Sequence, residues 1–185
     1  MKIIFLDRDG VINKYPGDRL YVTNLKDFKI LKGSLTAIKD LTRVGFKIFV
    51  ISNQAGVAKK LYSKKMLKKI TDYMLKRVRK NGGRIQKVFY CLHAQDLNCP
   101  CRKPKTGLLK KATRGMSVDL QNCYFIGDSL MDVKTGRNFG CKTVLVLSGR
   151  ERLQNAPGWD VAPDFVAKNL LDAAHHILAG KYDRA

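Results

Sequence analysis

Asp7 and Asp9 stand one residue apart at the end of the apolar run Ile3-Ile4-Phe5-Leu6, and Gly10 follows them. A short apolar run closed by polar residues and a glycine reads as a buried strand entering a turn. In an open α/β sheet, ligands bind just past the carboxyl ends of the strands. Two acids crowded there repel each other and resist desolvation, so a divalent cation or a transferred group would account for both. Taken alone, the pair could equally close a turn by capping backbone amides. Later segments decide between these readings.

The apolar run Phe46–Ile51 delivers Ser52, Asn53 and Gln54, and the run Cys123–Ile126 delivers Gly127 and Asp128, with Asp132 one helical turn further on. Arg102 and Lys103 lie in the loop after another run, Val88–Tyr90. In a parallel sheet these ends converge on one edge. Three carboxylates around one point would hold Mg²⁺, with water and a substrate phosphate completing an octahedron. The Ser52 hydroxyl and the Lys103 ammonium, facing them, suit the charge of a transferring phosphoryl group. Each has a plainer alternative: Ser52 a turn cap, Lys103 one cation among many, Asp128 and Asp132 acids favoured near a helix N-terminus. Their joint order and their places at strand ends favour chemistry.

Cys91-x-His93-x₅-Cys99-x-Cys101 offers three thiolates and an imidazole, a closed tetrahedral set for structural Zn²⁺. Such a metal would staple a loop without regular structure and fix its next residues, Arg102 and Lys103. Reduced cysteines beside a surface histidine are the alternative. Cys123 and Cys141 sit alone in apparent strands and read as small core residues.

The elements that must position these groups alternate. Helical spacing predicts helices over 34–44, over 64–80 with Ser63 as N-cap, and over about 107–114, 131–139 and 169–178. Further strands are expected at 143–147 and near 165–166. Alternating strands and helices predict an α/β fold, a parallel sheet with helices on both faces. With 185 residues, no repeat and no linker, one domain over 1–185 is expected.

Composition excludes some classes and leaves others open. Apolar residues make up 45%, which argues against disorder. No apolar run approaches the ~20 residues of a membrane helix, and the apolar start is too short for a signal-peptide core; cytoplasm is the expected compartment. Lys plus Arg number 36 against 15 Asp plus Glu, a formal charge of +21. Such a field attracts phosphorylated metabolites, nucleic acid or anionic membrane surfaces. Much of it lies between Lys59 and Lys87, where Asp72 is the one acid. Met66, Leu67, Ile70, Tyr73, Met74 and Val78 already form an inward stripe there, so the lysines read as a solvated outer face. A nucleic-acid surface would interleave aromatics with the charge, and membrane docking would need exposed apolar residues.

Asp7-x-Asp9-Gly-Val, Ser52 after an apolar strand, Lys103, and Gly127-Asp128-x-x-x-Asp132 resemble the four motifs of the haloacid dehalogenase-like phosphatases. A narrower resemblance, to the heptose 1,7-bisphosphate phosphatases, rests on Asp7 to Asn13, Tyr21-Val22, Phe28, Ser52 to Ala58, Cys91 to Pro104, and Val144-Leu145-Val146 with Ser148-Gly149. Histidinol-phosphate phosphatases share the first motif and the Cys/His loop. A polynucleotide-end phosphatase or nucleic-acid-associated protein is the alternative the charge suggests. Departures from the family pattern stand at Lys59-Lys60 and at Lys105-Thr106-Gly107.

The resemblance implies a Rossmann-like core without a large cap domain. It also implies roles for individual residues: Asp7 the nucleophile, Asp9 the acid and base, Ser52 and Lys103 the phosphoryl holders. Asn53, Gln54 and Arg102 become substrate contacts. Mg²⁺ sits on Asp7, Asp9 (through its backbone carbonyl) and Asp128, braced by Asp132, and Zn²⁺ sits on Cys91, His93, Cys99 and Cys101. The substrate becomes a small phosphorylated sugar, a heptose precursor for lipopolysaccharide or a related glycan, handled by a monomer with no membrane partner.

Overall fold

The computed structural model describes residues 1–18 and 20–180. The strands are β1 (Ile3–Leu6), β2 (Lys47–Asn53), β3 (Ile85–Cys91), β4 (Cys123–Gly127), β5 (Lys142–Val146) and β6 (Phe165–Ala167). They form one parallel sheet in the order β3-β2-β1-β4-β5-β6. The order reverses direction at β1, which lies between β2 and β4, and such a switch point opens a crevice at the carboxyl edge. Asp7 therefore stands at the middle of the sheet.

The helices are α1 (Ser34–Arg43), α2 (Lys64–Lys80), α3 (Gly107–Ala112), α4 (Leu130–Phe139) and α5 (Leu170–Leu178). Alternation along β1 sends Ile4 and Leu6 to one face and Ile3 and Phe5 to the other. The first pair joins a core with Ile38 and Leu41 of α1, Ile70 and Met74 of α2, and Ala173 and Ile177 of α5. The second pair packs with Leu108 and Leu109 of α3 and, at its margin, Phe139 of α4. β1 is fully buried on both faces, as a central parallel strand requires. Cys123 and Cys141 are buried core residues, as expected.

Ser63 caps α2, its hydroxyl accepting from the Met66 amide at 3.1 Å. The predicted stripe faces inward: Leu67, Ile70, Met74 and Val78 are buried, and Met66 and Tyr73 pack at the core's edge. The lysines of α2 lie outward, and Asp72 is already paired with Lys68 at 2.7 Å. β3 begins three residues earlier than its apolar run, at Ile85 instead of Val88. It is an edge strand, so Gln86 and Lys87 can face solvent there. No helix among the described residues is long and apolar enough to cross a membrane.

Candidate active site

The Asp7 amide donates to the Ile126 carbonyl of β4 at 3.0 Å, extending the β1–β4 pairing one residue past the strand. This holds Asp7 beside the end of β4, where Asp128 follows. Gly10 then turns with φ 79°, and a Cβ there would lie 2.1 Å from Asp128 Oδ2. On the other side, a Cβ on Gly149 would lie 2.0 Å from the same oxygen. Asp128 thus sits in a slot that two glycines leave open. The Arg150 amide donates to Asp128 Oδ2 at 2.8 Å and fixes its orientation.

Lys103 is the cation of the site. Its side chain is 4% exposed, and its Nζ lies 3.0 Å from Asp7 Oδ2 and 2.5 Å from Asp132 Oδ1. Asp132 is held from its other side by Ser129, the N-cap of α4, whose hydroxyl donates at 2.6 Å and whose amide donates at 3.2 Å. A carboxylate in the first turn of α4 also gains from the helix dipole. Asn53 clamps the Lys103 backbone from both sides: its Oδ1 accepts from the Lys103 amide at 3.2 Å and its Nδ2 donates to the Lys103 carbonyl at 3.4 Å.

Burial raises the Asp7 carboxyl to about 6, with Asp132 and Asp9 adding to the rise against Lys103 and Ser52, which lower it. Burial, then Asp132 and Asp7, raise Asp128 well above the ordinary carboxylate range. Burial pulls the Lys103 ammonium down, but Asp132 and Asp7 outweigh it and its pKa ends above the usual value. Carboxylate oxygens of Asp7, Asp128 and Asp132 lie within 4.8 Å of one another. One ammonium does not neutralise three crowded acids, so the donor set fits an additional hard divalent cation.

Asp9 is placed differently from Asp7. Arg8 Nε and Nη2 donate to its carboxylate at 2.9–3.1 Å, Asn13 Nδ2 donates at 2.8 Å, and Gln54 Nε2 donates at 3.0 Å. Gln54 also donates to Ser52 Oγ at 3.2 Å and accepts from Tyr62 at 2.6 Å. At 1% exposure Gln54 is therefore a brace behind Asp9 and Ser52, whereas the sequence reading made it a substrate contact. Arg8 was not foreseen at all. Its guanidinium is fully buried, with the rings of Phe28 and Tyr90 6.0 and 5.9 Å away. A cation set between the two acids Asp7 and Asp9 was the available signal.

The carboxyl edge opens into a cleft of about 1120 Å³, with Asp7, Asp9, Asn53, Arg102, Lys103 and Asp128 among its lining. Among the described residues the buried Arg102 Nη1 has no hydrogen-bond partner. Beside it the Cys/His residues cluster. Sγ of Cys101 lies 3.4 Å from those of Cys91 and Cys99, those two are 3.6 Å apart, and His93 Nδ1 is 3.1 Å from Cys101 and 3.8 Å from Cys91. Zn–S bonds of about 2.3 Å in a tetrahedron would set sulfurs about 3.8 Å apart. The three sulfurs are thus within a few tenths of an ångström of the spacing in a zinc tetrahedron, and the His93 ring nitrogen lies beside two of them.

A family model described as HAD-hydrolase-like matches residues 100–173. A Campylobacter jejuni protein, D-glycero-alpha-D-manno-heptose-1,7-bisphosphate 7-phosphatase, is 36% identical over 82% of this chain and 85% of its own. A Pseudomonas putida protein, the corresponding beta-anomer 7-phosphatase, is 35% identical over 81% and 85%. Among solved structures, the D,D-heptose 1,7-bisphosphate phosphatase of B. bronchiseptica, complexed with magnesium and phosphate, superposes with a TM-score of 0.88 at 34% identity, covering 97% of this chain and 99% of that one. The fold agrees with these matches: the chain belongs to the haloacid dehalogenase-like phosphatases, in the branch of the heptose-1,7-bisphosphate phosphatases.

Proposed function

We propose that this chain removes the 7-phosphate of D-glycero-D-manno-heptose 1,7-bisphosphate, in the cytoplasm, through an aspartyl phosphate on Asp7. The observation that carries the reading is Lys103, buried between Asp7 and Asp132 at the switch point of the sheet, opposite Asp128. The relatives' names supply the sugar and the reacting phosphate.

An Asp7 oxygen attacks phosphorus in line as the bond to the sugar oxygen breaks, and Asp9 gives that oxygen its proton. Water then attacks phosphorus. Asp9 takes the water's proton, the acyl phosphate bond breaks, and Asp7 returns as a carboxylate with inorganic phosphate released. To reach the leaving oxygen, Asp9 exchanges part of its grip on Arg8 and Gln54 for the substrate. Ser52 and Lys103 hold the phosphoryl oxygens, and Arg102 orients the remainder of the sugar phosphate. Asp7 and Asp128 carboxylates with the Asp9 backbone carbonyl would hold Mg²⁺, which when bound neutralises charge on the phosphoryl group. Asp132 keeps to Lys103 and Ser129.

Borohydride reduction of acid-quenched turnover mixtures tests this route, because it converts an acyl phosphate to the alcohol. Homoserine at position 7 in the peptide mass is expected. Homoserine at another position, or turnover with no trapped residue, overturns it.

Zn²⁺ on Cys91, His93, Cys99 and Cys101 would be structural, since protein donors fill all its positions. Stripping it with a thiol-compatible chelator should lower the thermal midpoint by at least about 5 °C and slow phosphate release, because Arg102 and Lys103 follow the cluster directly. An unchanged midpoint in metal-stripped protein, verified by elemental analysis, would contradict this.

The basic outer face of α2 is assigned to solubility and to encounter with anionic substrate, not to nucleic acid. Retention on single-stranded DNA should vanish by ~150 mM salt, where screening acts within about 8 Å. Binding that survives that salt with a steep log–log slope would show a nucleic-acid surface instead.

A further inference from the structure

Two thiols that neither the phosphoryl site nor the Cys/His cluster uses face each other across the sheet. Cys123 opens β4, and Cys141 stands immediately before β5. The register pairs Tyr124 with Lys142, so one residue earlier Cys123 lies opposite Cys141. Both side chains belong to the same buried cluster as Phe125, on one face of the sheet. Their sulfurs are 2.7 Å apart. Cys123 is fully buried, and Cys141 is 5% exposed.

We propose that Cys123 and Cys141 are an oxidative modification site: peroxide closes them into a disulfide that ties β4 to β5 at the amino edge of the sheet, and a dithiol reopens it. Three observations carry the proposal.

First, the fold already holds the pair in place for bonding. Neighbouring strands run about 4.8 Å apart, within the Cα separations that a disulfide spans. A shared register and a shared face then bring the sulfurs together without displacing either strand. The pair is closer than any two sulfurs of the Cys/His cluster, which are 3.4–3.6 Å apart.

Second, the two thiols have each other as exchange partners and are kept from the rest. Cys91, Cys99 and Cys101 gather past the carboxyl end of β3, at one edge of the sheet and beside the cleft. Cys123 and Cys141 lie at the amino ends of β4 and β5, so the length of those strands separates the two groups.

Third, the bridge encloses a segment of consequence. The chain between the two cysteines contains Asp128, Ser129 and Asp132 and the whole of α4. A cross-link there restrains the unfolded chain over the stretch that supplies two acids of the site, while the folded site stands at the opposite edge. Oxidation then makes the protein harder to unfold without entering its chemistry.

The chemistry balances with peroxide as the oxidant. The Cys141 sulfur, nearer the surface, attacks one peroxide oxygen, the O–O bond breaks, and a sulfenic acid and one water form. The Cys123 sulfur attacks that sulfenic sulfur, the S–O bond breaks, and the departing hydroxide leaves as a second water with the remaining thiol proton. Two electrons pass from the two thiols to the peroxide. The hydrogen bond with Cys123, together with burial, pushes the Cys141 thiol up. Little thiolate is therefore present and the first step is slow, so the bridge marks sustained oxidant exposure.

The test treats the wild-type protein with hydrogen peroxide, quenches it, alkylates the remaining thiols in denaturant and maps the peptides. The expected product is a peptide pair joined through Cys123 and Cys141, lighter by two hydrogens and released by dithiothreitol. The thermal midpoint of oxidised wild type should stand about 6–12 °C above that of Cys123→Ala treated alike. That comparison cancels any oxidation of the Cys/His cluster, which both proteins share. Cys141→Ala should match Cys123→Ala, and dithiothreitol should remove the difference. If neither variant folds, the same midpoints are read on wild type before and after dithiothreitol, and the peptide map stands by itself. Recovery of Cys123 and Cys141 as alkylated thiols, once Cys99 and Cys101 are oxidised, overturns the site. So does Cys141 recovered as a sulfinic acid in wild type. A bridge that leaves the midpoint unchanged overturns its role as a staple.

Discussion

Asp7→Asn should lose at least about 10⁴-fold in kcat, the scale on which removing a nucleophile acts, while leaving the fold intact. An amide oxygen at that position cannot form and release the acyl phosphate, yet it fits the same space. The variant should also be no less stable than wild type in magnesium-free buffer at pH 7. Burial raises the Asp7 carboxyl from 3.8 to about 6, so the folded chain holds that proton more tightly than the unfolded chain does. In this window the Asp7 contribution to stability falls as pH rises, because the folded state must give up a proton that the unfolded state has already lost. At pH 7 the carboxylate therefore destabilises the metal-free protein, and asparagine relieves it; below pH 4 the relief should disappear. Thermal midpoints of both proteins at pH 4 and 7, with phosphate release at saturating Mg²⁺, check both halves. Turnover within about tenfold of wild type would remove Asp7 as nucleophile.

Lys103→Met should be the second most damaging change, and it should act on stability as well as rate. Lys103 is 4% exposed, and its ammonium lies against Asp7 and Asp132. Removing one partner of a buried ion pair leaves the other charges without compensation and costs about 3–5 kcal/mol. The same ammonium faces the phosphoryl oxygens, and losing such a donor costs about 10²–10³ in rate. Lys103→Arg should not restore activity, since the planar guanidinium is larger and differently forked. The double variant Lys103→Met, Asp132→Asn should regain part of the stability without regaining rate. Denaturant unfolding of the single and double variants separates the two effects. A double variant as unstable as the single one would mean that Asp132 is not the charge left stranded.

The parts of the fold set by local periodicity were legible in the sequence. The α2 stripe, the Ser63 cap and the β1 run with its acids stand where the spacing put them. β3 was read short because Gln86 and Lys87 lie on an edge, where the apolar signal of a strand weakens. At the site, Asp7, Asp128, Asp132 and Lys103 were legible because each closes or follows a strand, and the sheet order then brings them together. The places of Gln54 and Arg8 were not legible, for a common reason. They are set by side-chain partners in other segments, Asp9 and Tyr62 for Gln54 and Phe28 and Tyr90 for Arg8, and no spacing in a single segment encodes those contacts.

The central claim is that this site transfers a phosphoryl group from a heptose bisphosphate. The most direct test is phosphate release with Mg²⁺ from both anomers of heptose 1,7-bisphosphate, from histidinol phosphate and from a phosphate-ended oligonucleotide. The account predicts kcat/KM for one heptose anomer at least about a hundredfold above histidinol phosphate and the oligonucleotide, roughly 2.7 kcal/mol of discrimination. Faster turnover of histidinol phosphate or of the oligonucleotide would contradict the substrate assignment, and no Mg²⁺-dependent release from any of the four would contradict the phosphatase assignment itself.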